Sequence, residues 1–268
     1  MVVMRRVTAL LSVGCLSQRA FASASIPLKG IRTDGVGGNG ITLIPSSGDY
    51  KNVVVWMHGL GDTADGWASL MPMLELQNTK YILPTAPERP ITLNGGYPMP
   101  GWADVFSLDK SANEDAQGFH ESAQRIQDII KTEMEDKGIP SERIVVGGFS
   151  QGGALALHVS TRATYRLAGC AALSTWLPLR DDYPDALSEQ SREHLRLFQA
   201  HGEADEVVRL QWGETSNEGL KQWLKKGSSE DPIDFRFMKI EHMGHSSDPE
   251  EIDALKDVLA EWLKEDKV

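Results

Sequence analysis

The sequence predicts an α/β fold with a mostly parallel central sheet and helices on both of its faces. Strand-like and helix-like segments alternate after residue 40, the order that builds a parallel sheet. Several strand candidates are nearly continuous apolar runs, as expected for strands covered on both faces. The chain has 268 residues, of which 41% are hydrophobic, enough for one sizeable core. We therefore expect a single folded domain over residues 26–268.

Seven segments have the composition of strands. They are Ile41–Pro45, Asn52–His58, Lys80–Pro84, Arg143–Gly147, Leu167–Ser174, Leu195–His201 and Asp234–Ile240. A long helix is predicted over Glu114–Lys137, because apolar residues recur at steps of three and four from Ala116 onward and Gly138 follows. The last helix has a capping-box spacing at Ser247–Glu250. Its apolar stripe consists of Ile252, Leu255, Leu259, Trp262 and Leu263.

The predicted domain is strongly acidic. The whole chain has 27 basic and 38 acidic residues, a formal net charge of −11. Residues 1–25 contain three arginines and no acid, so residues 26–268 carry 24 − 38 = −14. Such a body repels phosphate backbones and anionic lipid surfaces, so we expect no nucleic-acid partner. No apolar run approaches the ~18 residues that a membrane-spanning helix needs, so we expect no integral membrane segment.

Residues 1–25 form a basic leader that is rich in serine and alanine. Such a segment is typical of an address tag rather than of a folded element. Arg19 and the mixture of arginine with serine favour an organellar, mitochondrial-type transit peptide. A secretory signal ending near residues 22–24 is a weaker alternative, and an untargeted N-terminus would leave the protein cytoplasmic.

The sequence gives no indication of a metal or an organic cofactor. Residues 35–40 fit G-x-G-x-x-G, but a dinucleotide site needs a strand before the motif and a helix after it, and here a strand follows. The seven histidines and two cysteines show no metal-ligand spacing. Cys15 lies in the leader and Cys170 in a predicted strand, where we expect a buried apolar role. The expected chemistry is therefore free of cofactors.

A serine lies at the turn of a strand–turn–helix pattern. Gly148-Phe-Ser150-Gln-Gly152 fits G-x-S-x-G, after a predicted strand and before an alanine- and leucine-rich helix from Gly153 to Ser160. A nucleophilic serine on such a turn needs small residues two positions away on either side, because the backbones are crowded there. The helix N-terminus also favours negative charge that develops beside the serine. The pattern predicts Ser150 as the nucleophile of an acyl transfer.

A serine nucleophile needs a histidine base, which in this architecture comes last in the chain. The loop after the last predicted strand contains His242 and His245, just before the final helix. We favour His245, because Gly244 allows a tight turn that presents it, and His242 is the alternative.

The base needs a carboxylate at the carboxyl end of a neighbouring strand. Asp205 lies in the turn after the predicted strand Leu195–His201 and is the favoured acid. Glu203 and Glu206 are its rivals in the same turn.

The oxyanion of an acyl-transfer intermediate needs two backbone N–H donors. One is expected from Gln151, the residue after the nucleophile. The other is expected from Leu60, in the glycine-rich turn His58–Asp62 after an early strand. For His58 we expect a hydrogen bond that locks this loop, rather than a chemical role.

Five stretches resemble the acyl-protein thioesterase/lysophospholipase branch of the α/β-hydrolases, also called the phospholipase/carboxylesterase family. They are His58–Asp62, Gly148–Gly153, Leu173–Pro178, His201–Asp205 and Met243–Ser246. The resemblance implies an α/β-hydrolase fold and a triad of Ser150, Asp205 and His245. It also implies Leu60 and Gln151 as oxyanion donors, and hydrolysis of acyl thioesters or oxyesters, including S-palmitoyl proteins and lysophospholipids.

The resemblance extends to a long connection, Thr85–Asp109, about 25 residues rich in proline and glycine. Trp102 and Asp104 match a Trp-x-Asp element that the family places beside its acyl channel. Arg209 departs from the family pattern, in which proline is frequent at this position. This departure leaves the substrate preference open.

The sequence leaves little room for a lid over the site. Only about 20 residues separate Ser174 from Leu195, too few for the helical cap domain that many α/β-hydrolases insert there. We expect a shallow apolar groove suited to one acyl chain on a large leaving group such as a protein. The predicted groove residues are Trp102, Trp176 and Leu177.

The expected substrate is therefore an acylated small molecule, a lysolipid or an S-acylated protein, cleaved through an acyl-enzyme. A general short-chain carboxylesterase with the same triad is the first alternative. From another class, the alternative is a non-catalytic binding module with the α/β-hydrolase fold. The oligomeric state stays open.

Overall fold

A computed structural model describes residues 27–33, 39–107, 114–224 and 234–264. The leader over residues 1–25 and most of the glycine-rich motif at 35–40 lie outside the described residues. The predictions made for them, and the domain boundary at residue 26, stay predictions.

The strands of the described residues are, in chain order, β1 Leu28–Thr33, β2 Gly40–Pro45, β3 Asn52–Met57, β4 Thr79–Pro84, β5 Glu88–Ile91, β6 Tyr97–Pro100, β7 Ile144–Phe149, β8 Gly169–Leu173, β9 Leu197–Gly202 and β10 Phe235–Ile240. Eight of them form one sheet, in the order β1-β2-β4-β3-β7-β8-β9-β10. Strand β2 is antiparallel to both of its neighbours, β1 and β4. The sheet from β4 to β10 is parallel. The predicted mostly parallel sheet is confirmed.

In the described part of the chain, six α-helices connect or flank these strands. They are α1 Asp65–Ala68, α2 Ala116–Glu135, α3 Gln151–Arg162, α4 Glu189–His194, α5 Leu210–Leu224 and α6 Pro249–Trp262. Short 3₁₀ turns occupy Met71–Leu74, Thr92–Asn94, Ser141–Arg143 and Arg180–Asp182. Between β8 and β9 the chain forms only a 3₁₀ turn and the six-residue α4, so this connection holds no helical cap.

The central strands separate two cores, one on each face of the sheet. In β3, Val53 and Val55 pack into one core and Val54 and Trp56 into the other, as the two-residue period of a strand requires. The first core packs against α2, α3 and α5, and the second against α1 and α6. Helices therefore cover both faces, which explains the continuous apolar runs in the sequence.

Three helix starts differ from the sequence prediction, and one of them is that of α3, which begins at Gln151 rather than at Gly153. The buried stripe of α2 starts at Gly118 and Phe119, whereas Ala116 is exposed, because Asp115 caps the helix through the Gly118 N–H. Helix α6 is capped by Asp248, which accepts a hydrogen bond from Glu250 N at 2.8 Å, one residue later than predicted. Pro249 fills the first helical position, where its missing N–H costs nothing.

The sequence prediction omits three strands. Strand β1 pairs with β2 at the edge of the sheet, where Ile31 stays exposed and a continuous apolar run is not needed. Strands β5 and β6 form a separate hairpin within the segment expected to be a long loop. Pro90, Pro98 and Pro100 lie in this hairpin, and proline is tolerated there because a two-stranded ribbon has only edge strands.

Candidate active site

Ser150 lies at a sharp turn between β7 and α3. Its backbone has φ 54° and ψ −122°, a conformation that a side chain rarely adopts. Ser150 N donates to Leu173 O at 2.9 Å, and Thr175 Oγ1 donates to Ser150 O at 2.7 Å. The turn is therefore held by a backbone bond to β8 and by a side-chain bond from the residue that follows it, as expected for a strained conformation at a functional site.

The two glycines of the G-x-S-x-G motif are required by backbone crowding. A Cβ on Gly148 would lie 2.6 Å from Met57 O, and a Cβ on Gly152 would lie 2.3 Å from the same oxygen and 2.5 Å from His58 O. Real Cβ atoms do not approach backbone this closely. The crowding that the sequence analysis predicts around Ser150 is present.

Three side chains from distant parts of the chain meet at this turn. His245 Nε2 lies 2.9 Å from Ser150 Oγ, and His245 Nδ1 lies 2.7 Å from Asp205 Oδ2. A carboxylate can only accept a hydrogen bond, so Nδ1 carries the proton and Nε2 accepts from the serine hydroxyl. This arrangement can take a proton from Ser150.

Hydrogen bonds from the backbone of the same turn hold the Asp205 carboxylate in place. Its Oδ1 accepts hydrogen bonds from Val207 N and Val208 N, both at 2.9 Å, which leaves Oδ2 for His245. His201 Nε2 lies 3.6 Å from Oδ2 and donates to Val208 O at 2.7 Å. Burial lowers the pKa of His201, which keeps this second imidazole neutral beside the carboxylate.

The alternative acid and base residues named from the sequence are all exposed. Glu203 and Glu206 are exposed, whereas the Asp205 side chain is fully buried. His242 is also exposed and has φ 62°. The left-handed residue of this loop is therefore His242, and Ser246 N donates to Gly244 O at 2.9 Å around His245, which the structure brings to Ser150.

The loop after β3 lies against Ser150. A Cβ on Gly59 would be 3.4 Å from Ser150 Cβ, which places the adjoining Leu60 amide beside the elbow. Leu60 and Gln151 are both buried. Within the described residues neither backbone N–H has a protein acceptor, so both are available to an oxyanion.

His58 locks this loop, as expected. Its Nδ1 donates to Gly59 O at 2.7 Å and its Nε2 accepts from Ala86 N at 2.9 Å. Burial lowers the pKa of His58 to about 4, which keeps the ring neutral. A neutral ring can donate from one nitrogen and accept at the other, which is what the two bonds require.

Trp102 does not line an open groove, which corrects the sequence prediction. The side chain is 0% exposed, and its indole N–H donates to His58 O at 2.8 Å. Its backbone N–H donates to Gln151 Oε1 at 2.8 Å, and Gln151 Nε2 donates to Ala103 O at 2.7 Å. Sequence reasoning assigned Gln151 a backbone role only, because nothing local to the motif indicates a partner 49 residues away.

The other predicted wall of the groove follows β8. Trp176 is half-buried and donates from its indole N–H to Glu114 Oε1 at 2.7 Å. Leu177 is buried, so it does not line an open groove, which corrects the prediction for this residue as well; its N–H donates to Ser216 Oγ at 2.8 Å. Burial raises the pKa of Glu114, whose other oxygen accepts from Leu179 N at 2.6 Å. Glu114 therefore fixes the segment that contains both predicted groove residues.

Asp104 and Arg209, the two other residues named together with the long connection, make hydrogen bonds within their own part of the fold. Asp104 accepts hydrogen bonds from Thr92 N and Val105 N, both at 2.7 Å, and so binds to the 3₁₀ turn that connects β5 and β6. Arg209 is exposed just before α5, where its carbonyl accepts from Trp212 N at 2.8 Å.

Cys170 is buried, and burial raises the pKa of its thiol to about 12, as its predicted apolar role requires. Within the described ranges, no three histidine, cysteine, aspartate or glutamate side chains are grouped so that they could hold a metal ion. No helix in the same ranges is long and apolar enough to cross a membrane.

Comparison with known proteins gives consistent similarities. Residues 39–263 match the phospholipase/carboxylesterase family. The chain is 39% identical over 218 residues to acyl-protein thioesterase 1 homolog 1 of Dictyostelium discoideum, covering 80% of this chain and 92% of that protein. It is 40% identical over 231 residues to acyl-protein thioesterase 1 of Neurospora crassa, covering 82% and 91%. The crystal structure of Zea mays acyl-protein thioesterase 2 superimposes with a TM-score of 0.72 at 30% identity, covering 89% and 99%.

The crowding at the elbow predicts unequal effects for two glycine substitutions. Gly152→Ala should lower the free energy of unfolding by about 3 kcal/mol, because the new methyl group overlaps two backbone carbonyls. Gly244→Ala should change it by less than about 0.5 kcal/mol, because the nearest atom, Ala204 O, is 4.0 Å away. Urea unfolding of both variants measures the difference, and equal losses would contradict the crowding argument.

Proposed function

The chain belongs to the phospholipase/carboxylesterase family of α/β-hydrolases, and from that premise we propose that Ser150, His245 and Asp205 are its catalytic triad and S-acylated proteins its substrates. The protein is a serine hydrolase of thioesters and carboxylic esters. One observation carries the assignment of the triad: Ser150 Oγ, His245 and Asp205 form a continuous chain of hydrogen bonds at 2.9 and 2.7 Å.

The reaction has two steps. Ser150 Oγ attacks the thioester carbonyl carbon while His245 Nε2 takes the serine proton, and Asp205 stabilises the resulting imidazolium. The tetrahedral intermediate then expels the thiolate, which receives that proton from His245. Water, deprotonated by His245, attacks the acyl-serine in the same way, and the fatty acid leaves as the proton returns to Ser150.

The two backbone amides of Leu60 and Gln151 stabilise the oxyanion. Both lie beside Ser150, both lack a protein acceptor within the described residues, and Gln151 is the first residue of α3. The positive end of the helix dipole adds to the stabilisation of charge at this point. Such donors typically contribute a large part of the rate enhancement of an acyl transfer.

The substrate class is supported by the relatives and by the connection after β8. The relatives are named for action on acyl proteins. Residues 174–196 hold only a 3₁₀ turn and the short helix α4, so this connection adds no helical cap over the site, which favours a large leaving group such as a protein. Trp176, half-buried and fixed by Glu114, supplies apolar surface for the acyl chain.

A chain-length series separates this proposal from a short-chain carboxylesterase. Each methylene buried in the groove contributes about 0.8 kcal/mol, or roughly fourfold in kcat/KM, until the groove is filled. We expect kcat/KM to rise from acetyl toward palmitoyl with both thioester and oxyester substrates. A maximum at acetyl or butanoyl would reject the long-chain proposal and favour the short-chain esterase.

Ser150→Ala should lower kcat by about 10⁵–10⁶, because the acyl-enzyme can no longer form. Steady-state hydrolysis of a palmitoyl thioester measures the loss. Ser160→Ala is the matched control, since it removes a buried hydroxyl from α3, the helix that follows Ser150. Activity of Ser150→Ala within tenfold of wild type would reject the nucleophile.

Asp205→Asn should lower kcat by roughly 10⁴, because an amide facing Nδ1 favours the wrong tautomer of His245. Glu203→Gln removes an exposed carboxylate from the same turn and should leave kcat unchanged. Steady-state assays of thioester hydrolysis measure kcat for both variants. An active Asp205→Asn beside an inactive Glu203→Gln would transfer the role of acid to Glu203.

A further inference from the structure

The segment Pro100–Ala103 contacts both sides of the proposed oxyanion hole. On one side it holds the loop that carries Leu60: Gly61 N donates to Pro100 O at 2.8 Å, and Trp102 Nε1 donates to His58 O at 2.8 Å. Leu60 lies between these two anchored residues. Its side chain also faces the segment, since a Cβ on Gly101 would lie 3.0 Å from Leu60 Cδ1.

On the other side the same segment is bound to Gln151. The Gln151 side chain accepts from Trp102 N at 2.8 Å and donates to Ala103 O at 2.7 Å, a two-point contact that fixes both position and orientation. Gln151 is buried, so no water competes for these bonds. The residue whose amide is the second proposed donor is thus attached directly to the segment that anchors the first.

Trp102 is the centre of this arrangement. Its indole ring is 0% exposed and lies 5.2 Å from the His58 ring, between centroids. Ser122 of α2 donates from its hydroxyl to Trp102 O. The backbone N–H, the carbonyl and the indole N–H of Trp102 are all bonded, so neither the main chain nor the ring has freedom to shift.

We infer that Trp102 is a positioning residue that sets the spacing between the Leu60 and Gln151 amides. This inference rests on the proposed function, because it takes those amides as the oxyanion donors. Without the indole N–H, His58 O is left buried with no donor among the described residues, which destabilises the present orientation of the 58–59 peptide. The N–H of Leu60, two residues after His58, then no longer points at the oxyanion. Ser150, His245 and Asp205 stay in place.

Trp102→Phe removes the indole N–H and keeps most of the buried ring. We expect kcat for a palmitoyl thioester to fall 10- to 100-fold with KM changed less than threefold, because the amides act only on the transition state. An alkylboronic acid gives a second readout, since its adduct with Ser150 has a tetrahedral anionic centre. Its inhibition constant should rise by about the same factor as kcat falls.

Gln151→Met tests the same link from the other side. Methionine has a similar length but makes neither side-chain bond to the segment, and the backbone N–H of residue 151 is retained. It should reproduce the joint loss of kcat and boronic acid affinity. Because either change breaks the same connection, the double variant should lose little more than the worse single variant.

Trp56→Phe is the matched control. Trp56 is also buried, but its indole N–H has no acceptor within the described part of the chain. It should lower thermal stability without a matched loss of kcat and boronic acid affinity.

The possible outcomes distinguish a failure of the proposed function from a failure of the positioning role of Trp102. If wild type is not inhibited by the boronic acid, or if Ser150→Ala stays active, the proposed function fails. If wild type behaves as expected but Trp102→Phe loses less than twofold in kcat, or loses kcat while the boronic acid binds as before, the positioning role is overturned. Should Trp102→Phe not fold, Gln151→Met decides by the same criteria.

Discussion

The close approach of two backbones, at the elbow around Ser150 and at the end of β3, is the constraint on which the rest of the site depends. Gly148 and Gly152 lie so near the carbonyls of Met57 and His58 that no side chain fits between them. This contact places the proposed nucleophile and the glycine-rich loop side by side. It explains why the motif needs glycine on both sides of the serine, and why the proposed oxyanion donors come from the β3 loop and from the start of α3.

The features predicted correctly from the sequence are those encoded locally. The strand, the G-x-S-x-G turn and the following helix are contiguous, and Asp205 and His245 each follow a recognisable strand. Their meeting follows from the topology, because β7, β8, β9 and β10 are parallel neighbours whose carboxyl ends share one edge of the sheet. This strand order is therefore sufficient to bring Ser150, Asp205 and His245 to the same edge of the sheet.

The features missed are those that depend on partners far away in the chain. The expected groove residue Trp102 is buried because Gln151, His58 and Ser122 satisfy its polar groups, and none of these pairings leaves a local pattern. The hairpin β5–β6 was hidden by its prolines, which are tolerated only because it has no central strand. The start of α6 was misplaced by one residue because Ser247 and Asp248 both resemble a helix cap.

The acidic surface and the neutral interior have separate consequences. Residues 26–268 carry −14, so a proposed S-acylated substrate at a membrane would be reached through its acyl chain rather than by attraction to anionic lipid. Inside, burial lowers the pKa of both His58 and His201, so these rings stay uncharged. The positive charge that His245 gains in the proposed reaction therefore faces the Asp205 carboxylate without a competing cation from either ring. The most direct test is to quench wild-type protein during turnover of a palmitoyl thioester and locate the acyl group by peptide mass spectrometry. The account predicts one palmitoyl group on Ser150 and none in Ser150→Ala; a palmitoyl group on another residue, or turnover that persists in Ser150→Ala, would contradict it.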